Sequence, residues 1–151
     1  RDWSSDVCSS DLDVAAAPVA GLLPNDGTAE RMRAERVADK QHMLDALHLA
    51  ALLPPDYPRD AALLPELTGE LHNAIIGFLA LSPSMLLTLN QEDLTKEVDQ
   101  QNLPATTHQY PNWRRKMTYS VEQLHGDQHA LDFAQMLRHW LGRSGRSSSA
   151  S

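Results

Sequence analysis

The sequence predicts an α/β fold that is mostly helical and contains one short buried strand. Two stretches with apolar residues at helical spacing precede a short apolar segment, and an amphipathic helix follows later. A helix followed closely by a strand is typical of an α/β unit. One strand cannot form a sheet, because both of its edges would carry unpaired backbone groups. We therefore expect the strand to pair with partners that this chain does not contain.

The first helix is predicted from Thr28 to about Leu53. Thr28 is a suitable N-cap, and the charges of the first half predict a solvated face. Pro54 and Pro55 cannot continue a helix and are expected to end it. An apolar stripe at helical spacing predicts the buried face. Its members are Val37, Leu44, Leu47 and Ala51.

The second helix is predicted from Leu67 to about Leu81, and Ser82-Pro83 breaks it. Residues Ser84 to Asn90 then form a short, mostly apolar, uninterrupted run. Such a run is typical of a parallel strand that is buried on both faces. The buried face of the preceding helix is expected to comprise Leu71, Ile75, Phe78 and Leu79.

After the strand, one helical turn is predicted within Gln91–Val98, and a long loop covers Asp99–Thr118. Ser120 and Gln123 have the spacing of a capping box, which predicts the start of a short helix. Gly126-Asp127 interrupts it, and the last helix runs from His129 to Leu141 with Gly142 as its C-cap. The inward side chains of this helix are expected to be Phe133, Met136, Leu137, Trp140 and Leu141.

The two ends of the chain lie outside the predicted fold. Residues 1–12 contain D-W-S-S-D-V-C-S-S-D-L, which is the translation of a sequencing-library adapter, so we interpret them as an artefact. Cys8, the only cysteine, belongs to them and carries no information about redox compartment. The native chain is expected to extend further towards its amino terminus. Residues 13–142 form the predicted fold, beginning with a loop, and residues 143–151 are expected to be a disordered Ser/Gly/Arg tail.

Charge and hydropathy exclude two classes of partner. The formal net charge is −7 and the isoelectric point is about 5.4, which argues against nucleic acid as the main partner. The sequence has no run of 18 apolar residues, so it predicts no membrane span.

The loop from Asn102 to Arg115 carries the residue types that bind sugars. Amides bind hydroxyls, and an indole face stacks on a pyranose ring. Loops after the carboxyl ends of parallel strands are common ligand sites. The candidate substrate-binding residues are Gln91, Glu92, Asn102, Asn112 and Trp113.

Each of these candidates has a structural alternative. The two asparagines could instead satisfy backbone groups of the loop. Trp113 could anchor the loop to the rest of the fold. Arg114 and Arg115 are expected to bind carboxylates of a missing part of the protein rather than ligand.

Two other constellations are weaker. Glu92 and Asp93 are adjacent acids, but neighbouring side chains of a strand point to opposite faces. We therefore expect one to cap the following turn and the other to face solvent or the rim of the fold. His125 and His129 have a metal-binding spacing, but no third ligand is evident and surface histidines are favoured. No metal site is assigned.

The motif N-x-P-x-T…Y-P-N-W-R-R, after an L-x-x-x-x-E-D-L strand end, resembles the carboxyl-terminal region of the 4-α-glucanotransferases (amylomaltases, disproportionating enzymes) of glycoside hydrolase family 77. The charged segment Glu35–Leu47 and the F-L-A-L-S-P-S of Phe78–Ser84 also resemble that family. The similarity runs from about Thr28 to Leu124. Ala105 departs from it, since the family usually has Gly there.

The resemblance implies that this chain is the carboxyl-terminal portion of a TIM (β/α)8 barrel. The implied enzyme is cytoplasmic, needs no cofactor, and transfers α-1,4-glucan segments between maltooligosaccharides or to glucose by retaining double displacement. Its three catalytic acids are expected on earlier strands. In the family the third acid belongs to a His-Asp motif, and no His-Asp pair occurs here. No catalytic residue is assigned. The fragment alone is expected to be inactive and poorly folded, with the missing amino-terminal barrel of the same enzyme as its partner.

An alternative of another class is a small acidic helical interaction module without catalysis. Its support is the predominance of helix and the supply of Leu, Ile, Phe and Trp for a core. This alternative gives no role to the apolar segment Met85–Leu89 or to the loop from Asn102 to Arg115, called the Asn/Trp loop below. The barrel interpretation uses the segment as a strand and the loop as a ligand site.

Overall fold

The computed structural model of the protein describes residues 26–97, 101–102 and 106–146. The adapter-like residues 1–12, the loop predicted next to them, and residues 147–151 of the predicted tail lie outside the described residues. Within the described residues, five α-helices and one 3-10 turn are present. They are α1 (Asp26–Leu49), the 3-10 turn (Ala61–Leu63), α2 (Gly69–Leu81), α3 (Gln91–Thr95), α4 (Val121–Gly126) and α5 (Gln128–Ser144).

Helix α1 is exposed over most of residues 30–39 and packs through its carboxyl-terminal half. Leu44 and Leu47 of the predicted stripe are buried, but Val37 is 60% exposed. The helix ends at Leu49 rather than near Leu53, before either proline is reached. Ala51 adopts a left-handed conformation with φ 53°, so the chain reverses there.

The early end of α1 follows from packing rather than from the prolines. The Leu52 N–H donates to the Leu47 carbonyl at 3.0 Å, which closes the turn around Ala51. Leu53 is thereby buried. It joins an apolar cluster whose buried members are Leu44, Leu47, Leu53, Leu71 and Ala74.

Gln41 fastens the segment after α1 to the helix. Its Nε2 donates to the Arg59 carbonyl at 2.8 Å, and its Oε1 accepts from the Ala61 N–H at 2.9 Å. One group lies in irregular chain and the other at the start of the 3-10 turn, so one side chain satisfies two backbone groups that would otherwise need water.

Helix α2 buries a different face from the one its largest side chains predict. Thr68 caps it, accepting from the Leu71 N–H at 3.2 Å. Phe78, predicted to be inside, is 44% exposed. The buried positions are Leu71, His72, Ala74, Ile76, Gly77 and Ala80.

Small residues on α2 explain this face. Gly77 and Ala80 let α5 approach closely, and Trp140 of α5 fills the space against Gly77. The Trp140 Nε1 donates to Asn73 Oδ1 at 2.8 Å. The buried residues of this second cluster are Ile76, Ala80 and Trp140, and half-buried Leu52, Leu87, Leu89, Phe133, Met136 and Leu137 pack against it.

The predicted buried strand at Ser84–Asn90 is absent, and no strand occurs among the residues that the structure describes. Met85 is 95% exposed and Leu86 is 84% exposed, so the prediction of burial on both faces is wrong for this chain. A strand exists only when a neighbouring strand pairs with its backbone. The described part of the chain is therefore helical rather than α/β.

Helix α4 begins where the capping box predicts, and α5 begins at Gln128, one residue before its predicted start. Ser120 and Gln123 form a reciprocal capping box, and Asp127 accepts from the Ala130 N–H at the start of α5. Helix α5 continues past Gly142 to Ser144, and Gly145 is its C-cap with φ 71°. The prediction of Gly142 as the C-cap was therefore wrong, because the helix ends two residues later.

Candidate functional site

The start of α3 carries two of the predicted site residues. The Asp93 carboxylate accepts from the Asn90 N–H at 2.7 Å, so Asp93 caps the helix as one of the two adjacent acids was expected to do. Gln91 and Glu92 are half-buried beside it. Glu92 and Asp93 therefore have different roles and do not converge on one point.

Gln91 and Glu92 line a small, open polar cleft between α3 and the chain that follows the Asn/Trp loop. The Thr118 hydroxyl donates to a Glu97 carboxylate oxygen at 3.3 Å, which connects the two sides. The Glu97 N–H donates to the Glu92 carbonyl at 3.0 Å at the end of α3. The other lining residues are Thr95, Glu97, Gln101, Lys116, Met117 and Thr118.

Asn112 stabilises its own loop. Its Nδ2 donates to the Thr106 carbonyl at 3.1 Å and to the Thr106 hydroxyl at 2.9 Å. These contacts match the structural alternative for this asparagine. Its backbone N–H donates to the Tyr110 carbonyl at 2.8 Å, which makes the turn tight.

Trp113 lies next to the cleft with its side chain exposed. Its N–H donates to the carbonyl of Gln101, a cleft residue, at 2.8 Å. The indole is 75% exposed, so it does not anchor the loop to the described part of the chain. Its φ of 58° is unusual for a bulky residue. Such strain is commonest at functional sites.

The two arginines after Trp113 differ in their surroundings. Arg115 is half-buried, and its guanidinium carbon lies 5.7 Å from the centre of the Tyr110 ring, a cation–π contact within the loop. Arg114 is exposed. That either arginine binds carboxylates elsewhere in a longer protein stays a prediction.

The structure brings Gln91 and Glu92 to one cleft, and the backbone of Trp113 contacts Gln101, which also lines it. Asn102 is half-buried one residue after Gln101, which lines the same cleft. Among the residues that the structure describes, no group of three His, Cys, Asp or Glu side chains could hold a metal ion. His125 and His129 are both exposed.

Most of the cleft was not predicted. Gln101, Lys116 and Thr118 belong to an aperiodic stretch, in which nothing in the pattern tells which side chains face α3. Lys116 to Thr118 directly follow the Arg pair and precede the capping box, so they form the far end of the loop that begins after α3. In the structure this far end lies beside α3 again.

Residues 11–122, more than half of the chain, match the family described as 4-alpha-glucanotransferase, glycoside hydrolase family 77. The chain belongs to this family. The predicted resemblance to this family is thereby confirmed.

A curated relative agrees with this. The chain is 40% identical over 83 residues to the 4-alpha-glucanotransferase of Haemophilus influenzae. These residues are 55% of this chain and 12% of the relative, so the chain spans only a small part of the relative's length. Of the helices that the structure describes, none is long and apolar enough to cross a membrane.

Proposed function

We propose that this chain is a carboxyl-terminal part of a cytoplasmic 4-α-glucanotransferase that transfers α-1,4-glucan segments between maltooligosaccharides or to glucose. The observation that carries the proposal is the family match over residues 11–122. In the proposed reaction a carboxylate attacks the sugar, and a carboxylic acid protonates the leaving oxygen and later deprotonates the acceptor. No cofactor takes part.

The catalytic acids are assigned to the remaining part of the enzyme. Of the adjacent acids in this chain, Asp93 is engaged in capping α3, which supports the absence of a catalytic pair here. The chain alone is therefore expected to be inactive. It would supply one wall of the glucan-binding cleft, formed by Gln91, Glu92, Asn102 and Trp113, while Asn112 stabilises the loop that carries Trp113.

The exposed apolar segment supports a place in a larger (β/α)8 barrel. Leu87 and Leu89 rest on the helices, whereas Met85 and Leu86 face outward. An extended segment with exposed apolar side chains is the kind of chain that adds to a sheet. In the whole enzyme we propose that this segment pairs as a parallel strand with the amino-terminal part of the barrel through residues 86–90, beyond the Ser84 and Met85 carbonyls, which accept from Arg146.

The test is a chimera in which this chain replaces the matching segment of the Haemophilus influenzae protein. We expect it to disproportionate maltotriose, with release of glucose and formation of longer maltooligosaccharides, while the isolated chain does not. Deletion of the same segment is the negative control. A chimera that is folded by circular dichroism but inactive would count against the proposal.

Replacement of Trp113 by alanine in the chimera is expected to lower kcat/KM for maltotriose about tenfold, or ~1.4 kcal/mol, with little change in stability. The reason is that the 75% exposed indole contributes little packing but offers a flat face beside the cleft. Initial rates and thermal unfolding measure the two effects separately.

Trp113→Tyr is the matched variant, because it keeps an aromatic face and is expected to restore most of the activity. Val121→Ala, another exposed apolar position at 69%, controls for general surface effects. Unchanged kinetics with lowered stability in Trp113→Ala would instead support an anchoring role in the whole enzyme.

A further inference from the structure

Arg146 connects the end of the last helix to the chain that leaves α2. Its Nε donates to the Ala80 carbonyl at 2.9 Å, and its Nη2 donates to the Ser82 carbonyl at 2.8 Å. Nη2 also donates to the Ser84 carbonyl, and Nη1 reaches the Met85 carbonyl at 3.4 Å. One guanidinium thus contacts four carbonyls within six residues of chain.

The chemistry of arginine suits this position. The guanidinium presents five N–H donors in a rigid plane, so it can satisfy several carbonyls without reorganising. The last carbonyls of a helix have no partner in the helix, and a cation there interacts favourably with the helix dipole. Ser82 contributes locally, since its hydroxyl donates to the Leu79 carbonyl at 2.8 Å.

The contacts of Arg146 extend beyond the end of α2. A cap would need only the carbonyls near Ala80, whereas Arg146 also contacts Ser84 and Met85, which lie past the break at Ser82-Pro83. The guanidinium therefore fixes the direction in which the extended segment leaves the helix.

The direction of this segment determines where its far end lies. Leu87 and Leu89 continue along the second apolar cluster, which includes Trp140 of the helix that precedes Arg146. The segment then passes directly into α3, where Gln91 and Glu92 line the polar cleft. Arg146 thus holds the start of residues 82–90, and Leu87 and Leu89 near the end pack on the cluster that contains Trp140 of α5, the helix directly before Arg146.

We propose that Arg146 is a positioning residue that places Gln91 and Glu92 on the cleft by fixing residues 82–85 against the end of α5. Arg146 lies outside residues 11–122, which match the family, so this role belongs to this chain's own carboxyl-terminal helix. The link to glucan binding rests on the proposed function, whereas the link to the geometry of residues 82–90 does not.

The first arm of the test uses the full chain and chymotrypsin. Arg146→Gln is expected to raise the cleavage rate within residues 82–90 about tenfold, because a charged group no longer bonds these carbonyls. Cleavage at Trp113, in a loop that Arg146 does not touch, is the internal reference. Arg138→Gln, at an exposed arginine of α5, the helix that precedes Arg146, is the matched control for charge.

Arg146→Lys separates positioning from charge. Lysine keeps the positive charge near the end of α2, but its compact ammonium cannot span carbonyls from Ala80 to Met85. We expect cleavage within residues 82–90 to stay several-fold above that of the unsubstituted chain. If Arg146→Gln abolishes the helical signal in circular dichroism, Arg146→Lys carries the test.

The second arm measures kinetics in the chimera. Arg146→Gln is expected to raise KM for maltotriose about fivefold with kcat lowered less than twofold, because binding residues move while the catalytic acids do not. In an assay below the unfolding temperature, a general loss of stability would lower only the amount of active enzyme. It would therefore lower the apparent kcat and leave KM unchanged.

The outcomes separate the two proposals. Local cleavage equal to that of Arg138→Gln overturns the positioning role, whatever the chimera does. Arg146→Gln could raise cleavage within residues 82–90 while the unsubstituted chimera is folded but inactive. This result supports the positioning of residues 82–90 by Arg146 and counts against the proposed glucanotransferase function. An active chimera in which Arg146→Gln and Arg138→Gln have the same KM overturns the link between Arg146 and the cleft.

Discussion

Replacement of Gly77 by alanine is expected to destabilise the packing of α2 against α5 by about 2 kcal/mol. A Cβ at Gly77 would lie 2.6 Å from two ring atoms of Trp140, closer than real contacts allow. Trp140 is only 5% exposed, and its Nε1 donates to Asn73, so the ring cannot turn away without losing a part-buried hydrogen bond. Alanine is otherwise the better helix former by ~1 kcal/mol, so the clash must outweigh that gain.

A double-mutant cycle isolates this contact. In a Trp140→Leu background the space beside Gly77 opens, and Gly77→Ala is expected to be neutral or stabilising by up to ~1 kcal/mol. The coupling between the two positions is then about 2–3 kcal/mol. Native-state hydrogen exchange of the α2 amides measures the opening free energy of this helix pair directly.

Gly142→Ala is the control within α5, because a Cβ there would have no heavy atom within 4 Å. It is expected to stabilise α5 by up to ~1 kcal/mol through helix propensity alone. Equal effects of Gly77→Ala and Gly142→Ala would show that the close approach of Trp140 to α2 does not exist in solution.

The same contact explains why the buried face of α2 could not be read from its own sequence. Hydrophobicity favours a face with Phe78, but the side that α5 packs against is set by a gap at Gly77 that a distant tryptophan fills. Periodicity within one helix does not contain the shape of its neighbour. Local signals performed better: the capping box at Ser120 was predicted and is confirmed.

The apolar segment 84–90 shows the limit of strand prediction. Its composition predicts a strand, yet a strand is a property of paired backbones, and the described chain supplies no partner. The candidate site was likewise predicted only in part. Gln91 and Glu92 were predicted from their place after an apolar run, whereas Lys116 reaches the cleft only through the path of a loop without periodicity.

Acidification from pH 7 to pH 4 is expected to lower the opening free energy of α2 by about 3 kcal/mol through one residue, His72. This side chain is 8% exposed and stacks on Phe133 with ring centres 5.7 Å apart. Within the described residues its Nε2 has no hydrogen-bond partner. A neutral imidazole tolerates this apolar site, but an imidazolium does not.

Burial is the main cause that lowers the pKa of His72 from 6.5 to about 4. The positive charges of Lys96 and His129 lower the pKa further, and a hydrogen bond with the backbone of Asp93 acts in the opposite direction. Above pH 6.5 the imidazole is neutral in both states, so the full stability is present. As the pH falls from 6.5 through 4, the unfolded chain binds a proton that the folded chain resists, and stability is lost.

His72→Phe isolates this effect from the protonation of carboxylates in the same pH range. The variant keeps an aromatic ring against Phe133 and is expected to lose about 3 kcal/mol less than the parent between pH 7 and pH 4. Proton NMR of the His72 ring should give a pKa near 4. His125→Gln, at an exposed histidine, should leave the pH dependence of the parent unchanged. A His72 pKa near 6.5, or equal pH dependence in His72→Phe and the parent, would show that α2 does not bury this ring against α5.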